Sequence, residues 1–382
     1  MDPVEFLIGP VSQGAAKVLA IGVGTYALAT GAHARRAYRE ALPDRGSALM
    51  ATLVMVILTW MLWFHGATLV PAPFSLAVLG IYMAGVMITF GYTLSNAAKR
   101  LAEFREQARV ALEELAAKAL PEDKREAWLH DRLRLELGAE EKRKTPHLMM
   151  GFFLVIYGVL GYAILNGILG LAPGDADFGR ESWHNLQAVV DGGYLAAGHV
   201  VGVICILGLL FLLLPVELVR LQFPQADYPF KGTITSLMRE KERGSFGAHY
   251  YITATLPVAI LWLTDDPAHW DRTIYAVLAV FGVTVFADAA SALIGVRYGR
   301  LKFPHNPNKS WMGTWGGTLA AAALALPFTG PIGALAAAGV FFLVDVFAPV
   351  PFSASDNILN PLGMAIAYSL LADHLQPMLP FY

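Results

Sequence analysis

The sequence predicts an all-α, polytopic integral membrane protein with about ten transmembrane helices and one charged cytoplasmic helical segment. Three observations lead to this fold class. The 382 residues are 56% hydrophobic and only 15% charged, whereas a soluble protein of this length carries more charge. Apolar runs repeatedly reach the roughly 20 residues that cross a bilayer as a helix. The basic residues collect in every second connection between these runs, as expected for cytoplasmic loops.

The composition also argues against several classes of function. The formal net charge of −2 gives no reason to expect nucleic acid as a partner. The single cysteine, Cys205, lies in an apolar run, which excludes an intramolecular disulfide and a cysteine metal site. We expect no cleavable signal peptide, because the first apolar stretch lacks a basic leader and a clear cleavage motif. Walker A, H-E-x-x-H, G-x-S-x-G and paired C-x-x-C motifs do not occur, so metalloprotease, hydrolase and zinc-ribbon functions have no support.

Ten apolar segments account for the predicted transmembrane helices, and Gly and Pro residues interrupt the last four. In chain order the predicted spans are 11–31, 47–68, 74–95, 148–170, 192–214, 247–264, 273–295, 314–330, 332–349 and 358–376. Four arginines lie in the connection 32–46, whereas 69–73 carries no charge, and the alternation continues to the basic connection 296–313. We therefore expect both termini outside and the basic connections in the cytoplasm.

The chain divides near residue 142 into two parts. Residues 1–141 hold three predicted transmembrane helices and then a charged segment, 96–141, in which apolar residues recur at helical spacing from Leu101 to Leu115. We expect this segment to be a cytoplasmic helical hairpin that packs on itself. The alternative is a regulatory or partner-docking arm. Residues 142–382 hold the remaining spans and the polar residues that suggest a site.

Asp288 is an acid inside an apolar run, where an ionised group is costly and marks a functional site by default. It lies about two turns from the predicted cytoplasmic end of its span, roughly 10 Å deep. It shares a small, polar helix face with Ser291 and Gly295, so another group can approach the backbone there. The alternative is that Asp288 is neutral, or pairs with Arg297 or Lys302, and only fixes helix packing.

Two further acids are predicted at the same face of the membrane. Asp345 lies near the cytoplasmic end of its span, and Asp356 and Asn357 open the last span. Each has a simpler explanation, because Asp345 could reach toward the interface and Asp356 or Asn357 could cap a helix. Three acids at one depth, beside several cations, are better explained together, as ligands of Mg²⁺ next to bound phosphate.

The loop 295–317 has the composition of a phosphate-binding loop. Glycines let backbone N–H groups approach an anion, and the N-terminus of the following helix favours negative charge. Arg297 can bind phosphate through two hydrogen bonds, whereas Lys302 and Lys309 act as point charges. The Ser310 hydroxyl is a further candidate ligand of phosphate or metal. The alternative is an ordinary basic cytoplasmic loop. The glycines assigned to phosphate are Gly295, Gly299 and Gly313.

A second basic cluster, 142–151, is predicted at the cytoplasmic start of the fourth span. It contains three cations and His147. These residues could hold a phosphate or help to remove a proton from a lipid hydroxyl. For the cations alone, anchoring the helix at the interface is the preferred interpretation.

Four blocks of polar and small residues follow one another along 142–382. They are Arg143-Lys144 with His147 and Gly151; Gly247 to Tyr251; Asp288 through Gly313, in the pattern D-x-x-A-x-x-x-G-x-x-x-G … K-S-W-x-G; and Asp356-Asn357 with Pro361-Leu362. This series resembles the CTP-dependent lipid kinases, which include dolichol kinase, phytol kinase and the CTP-using diacylglycerol kinase, and which are related to the phosphatidate cytidylyltransferases. The last two blocks are specific together, and the first two support them. About the first 140 residues lie outside the resemblance.

The resemblance implies transfer of the γ-phosphoryl group of CTP to the hydroxyl of a membrane lipid alcohol, of the polyprenol, dolichol or phytol type or a diacylglycerol. A divalent ion such as Mg²⁺ would be held by Asp288 and Asp356, with Asp345 a weaker candidate. Asn357 belongs to the same catalytic block, and His147 or a carboxylate would take the proton of the hydroxyl. The expected contacts of the triphosphate are Gly295, Arg297, Gly299, Lys302, Lys309, Ser310 and Gly313.

Two positions depart from the family pattern. Met312 stands where many relatives have Glu, which puts an acidic role at this position in doubt. Asp345 stands where Glu is common, which keeps the charge on a shorter side chain.

Other functions remain alternatives at the level of sequence. A phosphatidate cytidylyltransferase would carry a K-[ST]-W-x-G block too, but a longer signature of such enzymes is missing around 356–362. Intramembrane acids also occur in ion-coupled transporters. Here the charged residues gather at one face instead of the midplane, and no inverted repeat is visible. A scaffold role is the residual possibility.

Overall fold

The computed structural model of the protein describes ten stretches of the chain. They are residues 10–42, 44–93, 96, 160–171, 180–223, 227–232, 234, 246–265, 269–348 and 355–378. The predicted charged segment 96–141, apart from residue 96, and the basic cluster with His147 lie outside these residues. So does most of the predicted fourth span, 148–170.

Nearly all of the described chain is helical, as the sequence predicts. The helices are α1 (Pro10–Arg39), α2 (Arg45–Phe64), α3 (Gly66–Leu69), α4 (Phe74–Thr93), α5 (Gly161–Leu171), α6 (Arg180–Asp191), α7 (Gly193–Gln222), α8 (Ala248–Thr264), α9 (Trp270–Gly282), α10 (Asp288–Tyr298), α11 (Trp311–Phe347) and α12 (Asp356–Leu370). A π-helical turn, Val283–Ala287, joins α9 to α10, and a 3₁₀ turn, Ala372–His374, follows α12. The all-α prediction misses one small sheet between α10 and α11, in which β1 (Lys302–Phe303) pairs antiparallel with β2 (Asn306–Ser310).

Six helices of the described residues are long and apolar enough to cross a membrane. They cover Ser12–Arg39, Arg45–Phe64, Phe74–Thr93, Gly193–Gln222, Arg272–Tyr298 and Trp311–Phe347. This finding supports the predicted membrane protein, whereas the predicted count of ten spans is not confirmed.

The 37-residue helix α11 is folded back on itself at Gly330. This residue has φ 71° and ψ −176°, which no α-helical residue adopts. The hydroxyl of Thr314 hydrogen-bonds the carboxylate of Asp345, and the rings of Trp315 and Phe342 are 5.2 Å apart. In a straight helix the two rings would be about 40 Å apart. The element is therefore a helical hairpin with two antiparallel arms.

The turn of this hairpin lies between the first arm, 311–329, and the second arm, 331–347. A positive φ favours glycine, and a Cβ at Gly330 would lie 2.6 Å from the carbonyl oxygen of Gln376. The backbone N–H of Gln376 also donates to the carbonyl oxygen of Thr329 over 3.2 Å. The chain after α12 thus covers the turn. The predicted break between the spans 314–330 and 332–349 falls at this glycine.

The hairpin gives the bundle two distinct faces. Each arm is roughly 25–28 Å long, close to the thickness of the hydrocarbon core. At one end lie the β-hairpin, the end of the second arm and the start of α12, which we call the site face. At the other end lie Gly330 and Gln376, which we call the tip face.

Contacts at the tip face fix the direction of α8. His269 Nε2 lies 3.0 Å from Asp373 Oδ1, and the Arg272 guanidinium donates to the Asp373 carbonyl oxygen over 2.9 Å. Asp373 follows α12 and lies close in sequence to Gln376, which contacts the hairpin turn. The connection from α8 to α9 is therefore at the tip face. It follows that α8 begins at the site face and runs parallel to α12.

Helix α8 lies at the centre of the bundle. It packs against α2, α7, α9 and α12, and almost all of its side chains from Tyr250 onward are buried. Its sequence is apolar on every side, which is the pattern of a fully buried helix. The site face thus brings the starts of α8 and α12 to the same side of the core.

Candidate functional site

The ammonium group of Lys309 lies between two carboxylates. Its Nζ donates to Asp345 Oδ1 over 2.5 Å and to Asp356 Oδ2 over 2.9 Å. Lys309 belongs to β2, Asp345 to the end of the second arm, and Asp356 is the first residue of α12. Lys309 and Asp345 can therefore meet only because helix α11 folds back at Gly330. The sequence predicted that these residues share one face, and the structure places them in contact.

Asp288 is the fourth charged residue of this group, which we call the Lys309 cluster. It is buried, and it lies directly after the π-helical turn, a distortion that is frequent at functional sites. Burial alone lowers the pKa of Lys309, but Asp356, Asp345 and Asp288 outweigh it and raise that pKa above its ordinary value. The lysine consequently stays protonated at neutral pH.

The two carboxylates that bind Lys309 differ in how they are held. Asp345 is buried, with 2% of its side chain exposed, and accepts two further hydrogen bonds from hydroxyl groups. Ser291 Oγ donates over 3.3 Å, and Thr314 Oγ1 makes a short hydrogen bond. The side chain of Asp356 is 21% exposed. Asp356 also accepts from the backbone N–H of Asn357 and from Ser355 Oγ, so the two carboxylates differ in their exposure to solvent and not in the number of their donors.

Sequence reasoning did not single out Thr314. A threonine in an apolar helix usually bonds a carbonyl of its own helix, as Thr318 does to the carbonyl oxygen of Thr314. The only signal was its position in the predicted loop 295–317, directly after Gly313.

The predicted phosphate-binding glycines lie in a close contact between α10 and the first arm of α11. A Cβ on Gly313 would lie 2.7 Å from the carbonyl oxygen of Ser291 and 2.9 Å from the Cα of Gly295. A Cβ on Gly299 would lie 2.1 Å from Ser310 Oγ. The face of α10 that is lined by small residues therefore packs against another helix, the first arm of α11. Contacts of these glycines with phosphate stay a prediction.

The remaining predicted phosphate ligands lie around the β-hairpin. The side chains of Arg297, at the end of α10, and of Lys302, in β1, are exposed. Ser310 is the N-cap of α11, and its Oγ accepts a hydrogen bond from the backbone N–H of Gly313 over 3.2 Å. Arg297 and Lys302 are thus placed to meet an anion from solvent, whereas Ser310 already has a structural role.

The start of α12 bears on the alternative in which Asp356 or Asn357 caps the helix. The N-cap is Ser355, whose Oγ accepts from the backbone N–H of Asn357 over 3.2 Å, and neither Asp356 nor Asn357 occupies the cap position. Asp356 Oδ1 accepts from the same N–H over 3.0 Å, while its Oδ2 faces Lys309. The carboxylate of Asp356 is therefore oriented by its own helix and aimed at the lysine.

A divalent cation can be tested against these residues. Among the described residues, no group of three or more His, Cys, Asp or Glu side chains is arranged to hold a metal. Mg²⁺ at nucleotide sites usually takes one or two carboxylates, with the phosphates and waters completing its shell. The Lys309 cluster contains carboxylates of the kind that this smaller set requires, and their binding of Mg²⁺ stays a prediction.

Comparison with known proteins gives one match. Residues 178–359, a little under half of the chain, match the model of the cytidylyltransferase family. The matched range contains all four residues of the Lys309 cluster. It supports a relationship to the phosphatidate cytidylyltransferases and a CTP-using enzyme in general. No curated protein and no solved structure matches the chain.

Proposed function

We propose that the protein is a kinase that transfers the γ-phosphoryl group of CTP to the hydroxyl of a membrane lipid alcohol at the cytoplasmic face. The observation that carries this proposal is the Lys309 cluster, in which an ammonium group and carboxylates from three elements meet at one face of an apolar bundle. Phosphoryl transfer needs mostly positioning and charge stabilisation, and this cluster can supply both. The match to a CTP-using family supports the nucleotide.

The residues of the site would have different roles, according to how accessible each one is. Lys309, once a triphosphate is bound, would turn its ammonium group to the phosphate oxygens, and Arg297 and Lys302 would hold the outer phosphates. Asp288 and Asp356 would hold Mg²⁺, which neutralises charge on the phosphate oxygens. Asp345 would keep Lys309 in position and would not be a metal ligand.

The reaction is a single displacement at phosphorus. The lipid hydroxyl oxygen forms a bond to the γ-phosphorus, the bond from that phosphorus to the β,γ-bridging oxygen breaks, and CDP leaves. The hydroxyl proton passes to a carboxylate of the cluster or to His147.

The acceptor would reach this site from the bilayer. Apolar side chains near the β-hairpin are exposed, among them Leu301 (73%), Trp311 and Met312. Exposed apolar residues of this kind lie in contact with lipid in a membrane protein. A lipid alcohol could therefore place its hydroxyl at the Lys309 cluster while its chain stays in hydrocarbon.

A second candidate is a phosphatidate cytidylyltransferase, which the matched family favours by its description. Such an enzyme joins a lipid phosphate oxygen to the α-phosphorus of CTP and releases pyrophosphate. We prefer the kinase because the residues that follow the second arm read Asp-Asn-x-x-x-Pro-Leu at 356–362, without the longer signature of the cytidylyltransferases.

Labelled CTP tests the two candidates with purified protein and a panel of lipid alcohols and phosphatidate. We expect γ-label to appear in the lipid, and α-label in the lipid would establish the cytidylyltransferase instead. Lys309→Ala should lower kcat/KM by at least about tenfold, or ~1.4 kcal/mol. Arg36→Ala is the matched control, because this exposed cation of α1 pairs with Glu40 directly after the helix, away from the Lys309 cluster. If no CTP is consumed with any lipid, both candidates are wrong.

A further inference from the structure

A second polar group lies at the site face, around the start of α8. It consists of buried side chains contributed by α1, the connection to α2, α7 and α8, and we call it the α8 polar cluster. Its members are His33, Asp44, Glu217, Arg220, Tyr250 and Tyr251. Neither the proposed transfer reaction nor the Lys309 cluster uses these residues.

One half of the α8 polar cluster is satisfied within the protein. Arg220 donates from Nε to Glu217 Oε1 over 3.2 Å and from Nη2 to Glu217 Oε2 over 2.7 Å. The backbone N–H of Gly247 also donates to Glu217 Oε2, over 3.1 Å. This ion pair joins the end of α7 to the start of α8. Its role is structural.

The other half has hydrogen-bonding atoms that lack partners. Asp44 Oδ2 lies 3.2 Å from His33 Nε2, but Asp44 Oδ1 has no hydrogen bond among the described residues. The same holds for the buried hydroxyls of Tyr250 and Tyr251. Ser47 lies near the Tyr251 hydroxyl but outside hydrogen-bond geometry. Buried polar atoms are nearly always paired, so three such atoms in one cluster indicate a missing ligand.

These three groups are close to one another. The ring of Phe246 lies 4.8 Å from that of His33 and 4.3 Å from that of Tyr250, measured between centroids. The rings of Tyr250 and Tyr251 are 5.8 Å apart. Asp44 lies near enough to Tyr251 to act on it electrostatically. One small ligand could therefore reach more than one of the unpaired atoms.

The chemistry of the unpaired atoms selects the ligand. A phenol can donate or accept a hydrogen bond, and an ionised carboxylate only accepts. An alcohol hydroxyl complements this pair, since it can accept from a tyrosine and donate to Asp44 Oδ1. An anionic headgroup would be repelled by Asp44. An ammonium group only donates, so the hydrogens of the two phenols would stay unpaired. A neutral hydroxyl both donates and accepts, and it is the group that fits.

We propose that the α8 polar cluster binds the hydroxyl group of an uncharged lipid, whose chain lies among the apolar helices. The proposed binding does not depend on the proposed kinase function. Its assignment to the acceptor rests on that function, because α8 begins at the same face as Asp356 and packs along α12. The source of the hydroxyl is then either the acceptor alcohol or another neutral lipid.

Binding of tritiated geranylgeraniol and of its methyl ether to the purified full-length protein, without CTP, tests the proposal. The ether keeps the chain but has no hydroxyl hydrogen to donate. We expect the alcohol to bind at least about tenfold more tightly than the ether. Asp44→Asn should remove this difference. Tyr250→Phe should weaken the binding of alcohol and ether alike, because the oxygen of either can accept from the phenol. Tyr194→Phe, an exposed phenol at the start of α7, should change neither result.

The melting temperature without lipid separates binding from folding. Because Tyr250→Phe removes an unpaired buried hydroxyl, it should leave the melting temperature unchanged or raise it. Equal binding of alcohol and ether by the native protein would overturn the proposal and leave ordered water as the ligand. A difference between alcohol and ether that persists in Asp44→Asn, or binding of the alcohol that is unchanged in Tyr250→Phe, would also overturn it.

Turnover with CTP then identifies the source of the hydroxyl. If binding is lost in Tyr250→Phe and the KM for the lipid alcohol rises with it, the bound alcohol is the acceptor. If binding is lost but that KM is unchanged, the site is supported with another neutral lipid as its ligand. Absence of all CTP turnover, with alcohol binding intact, would refute the kinase and leave the site supported.

Discussion

The two aspartates that bind Lys309 illustrate how burial decides the role of a side chain. Both accept a hydrogen bond from the same ammonium group, yet the side chain of Asp345 is buried and that of Asp356 is partly exposed. Mg²⁺ usually keeps several water ligands, so it can approach a partly exposed carboxylate more easily than one that protein donors enclose on every side. The acid that departs from the family pattern is thus the one that we assign to positioning.

Thr314→Val tests that positioning role. Valine keeps the shape of threonine but removes the hydroxyl that donates to Asp345, so Lys309 loses part of its support. Hydrogen bonds to charged groups contribute about 1.5–3 kcal/mol, and we expect kcat/KM to fall by about tenfold or more. Thr314→Ser should restore most of the activity. Thr318→Val is the control, because the hydroxyl of Thr318 bonds a carbonyl of its own helix. This variant should keep nearly the native kcat/KM. Activity unchanged in Thr314→Val would refute the role.

Asp288→Asn tests the second carboxylate that we assign to Mg²⁺. The amide keeps the size of the side chain but removes its charge, so kcat should fall at least about a hundredfold, ~2.7 kcal/mol, with expression and melting temperature near normal. The Mg²⁺ concentration for half-maximal activity should also rise. Asp191→Asn, at an exposed helix end, serves as the control. Substantial residual turnover at ordinary Mg²⁺ would count against Asp288 as a ligand.

At the scale of elements, the contact between α10 and the first arm determines the geometry of the site. Ser291 and Gly295 of α10 lie against Gly313 and Gly317 of the arm. A Cβ on Gly313 or Gly317 would overlap its neighbours, and one on Gly295 would be 3.1 Å from Ser310 Oγ. Helices in membranes associate closely through small residues of this kind. The contact holds Asp288 and Ser291 beside the end of the second arm.

Gly313→Ala separates packing from phosphate binding. If the glycine serves packing, the added methyl group should overpack the contact, destabilise the fold by about 1–3 kcal/mol and lower the melting temperature. If the glycine binds phosphate instead, the KM for CTP should rise and the melting temperature should stay unchanged. Gly339→Ala on the second arm is the control, because its Cβ would meet nothing within 4 Å. We expect the first result.

The fold-back of α11 can be tested by cross-linking. In a Cys205→Ser background, Trp315→Cys with Phe342→Cys should form a disulfide on mild oxidation, detected in digested peptides by mass spectrometry. The pair Trp315→Cys with Leu335→Cys is the control, since it is displaced by about 10 Å along the arms. A straight helix would give no cross-link with either pair.

At the scale of the whole molecule, the two faces make the predicted orientation testable. Arg300 at the site face and Met378 at the tip face are both exposed. In a Cys205→Ser background, Met378→Cys should react with a membrane-impermeant maleimide in intact cells, and Arg300→Cys only in inside-out vesicles. The opposite pattern would place the Lys309 cluster outside and contradict cytoplasmic CTP as the substrate.

The sequence predicted the class of fold and the grouping of the charged residues because both depend on composition and order. Asp288 in its apolar run, the basic loop with Lys309 and Asp356 at a helix start each stand out in the sequence. The predicted topology puts the loop and Asp356 at the same face of the membrane. The sequence could not predict the roles of residues that depend on tertiary contacts. Glycines in an anion loop and glycines between helices have the same composition, and Thr314 differs from Thr318 only through the fold-back at Gly330.

The antiparallel arms of α11 imply an unusual sensitivity to small insertions and deletions. One residue added to the second arm turns every following side chain by about 100° and would carry Asp345 away from Lys309. The same addition in a connecting loop would be absorbed at little cost. We therefore expect natural variants of this chain to differ freely in loop length, while the segment from Ser310 to Phe347 keeps a constant number of residues.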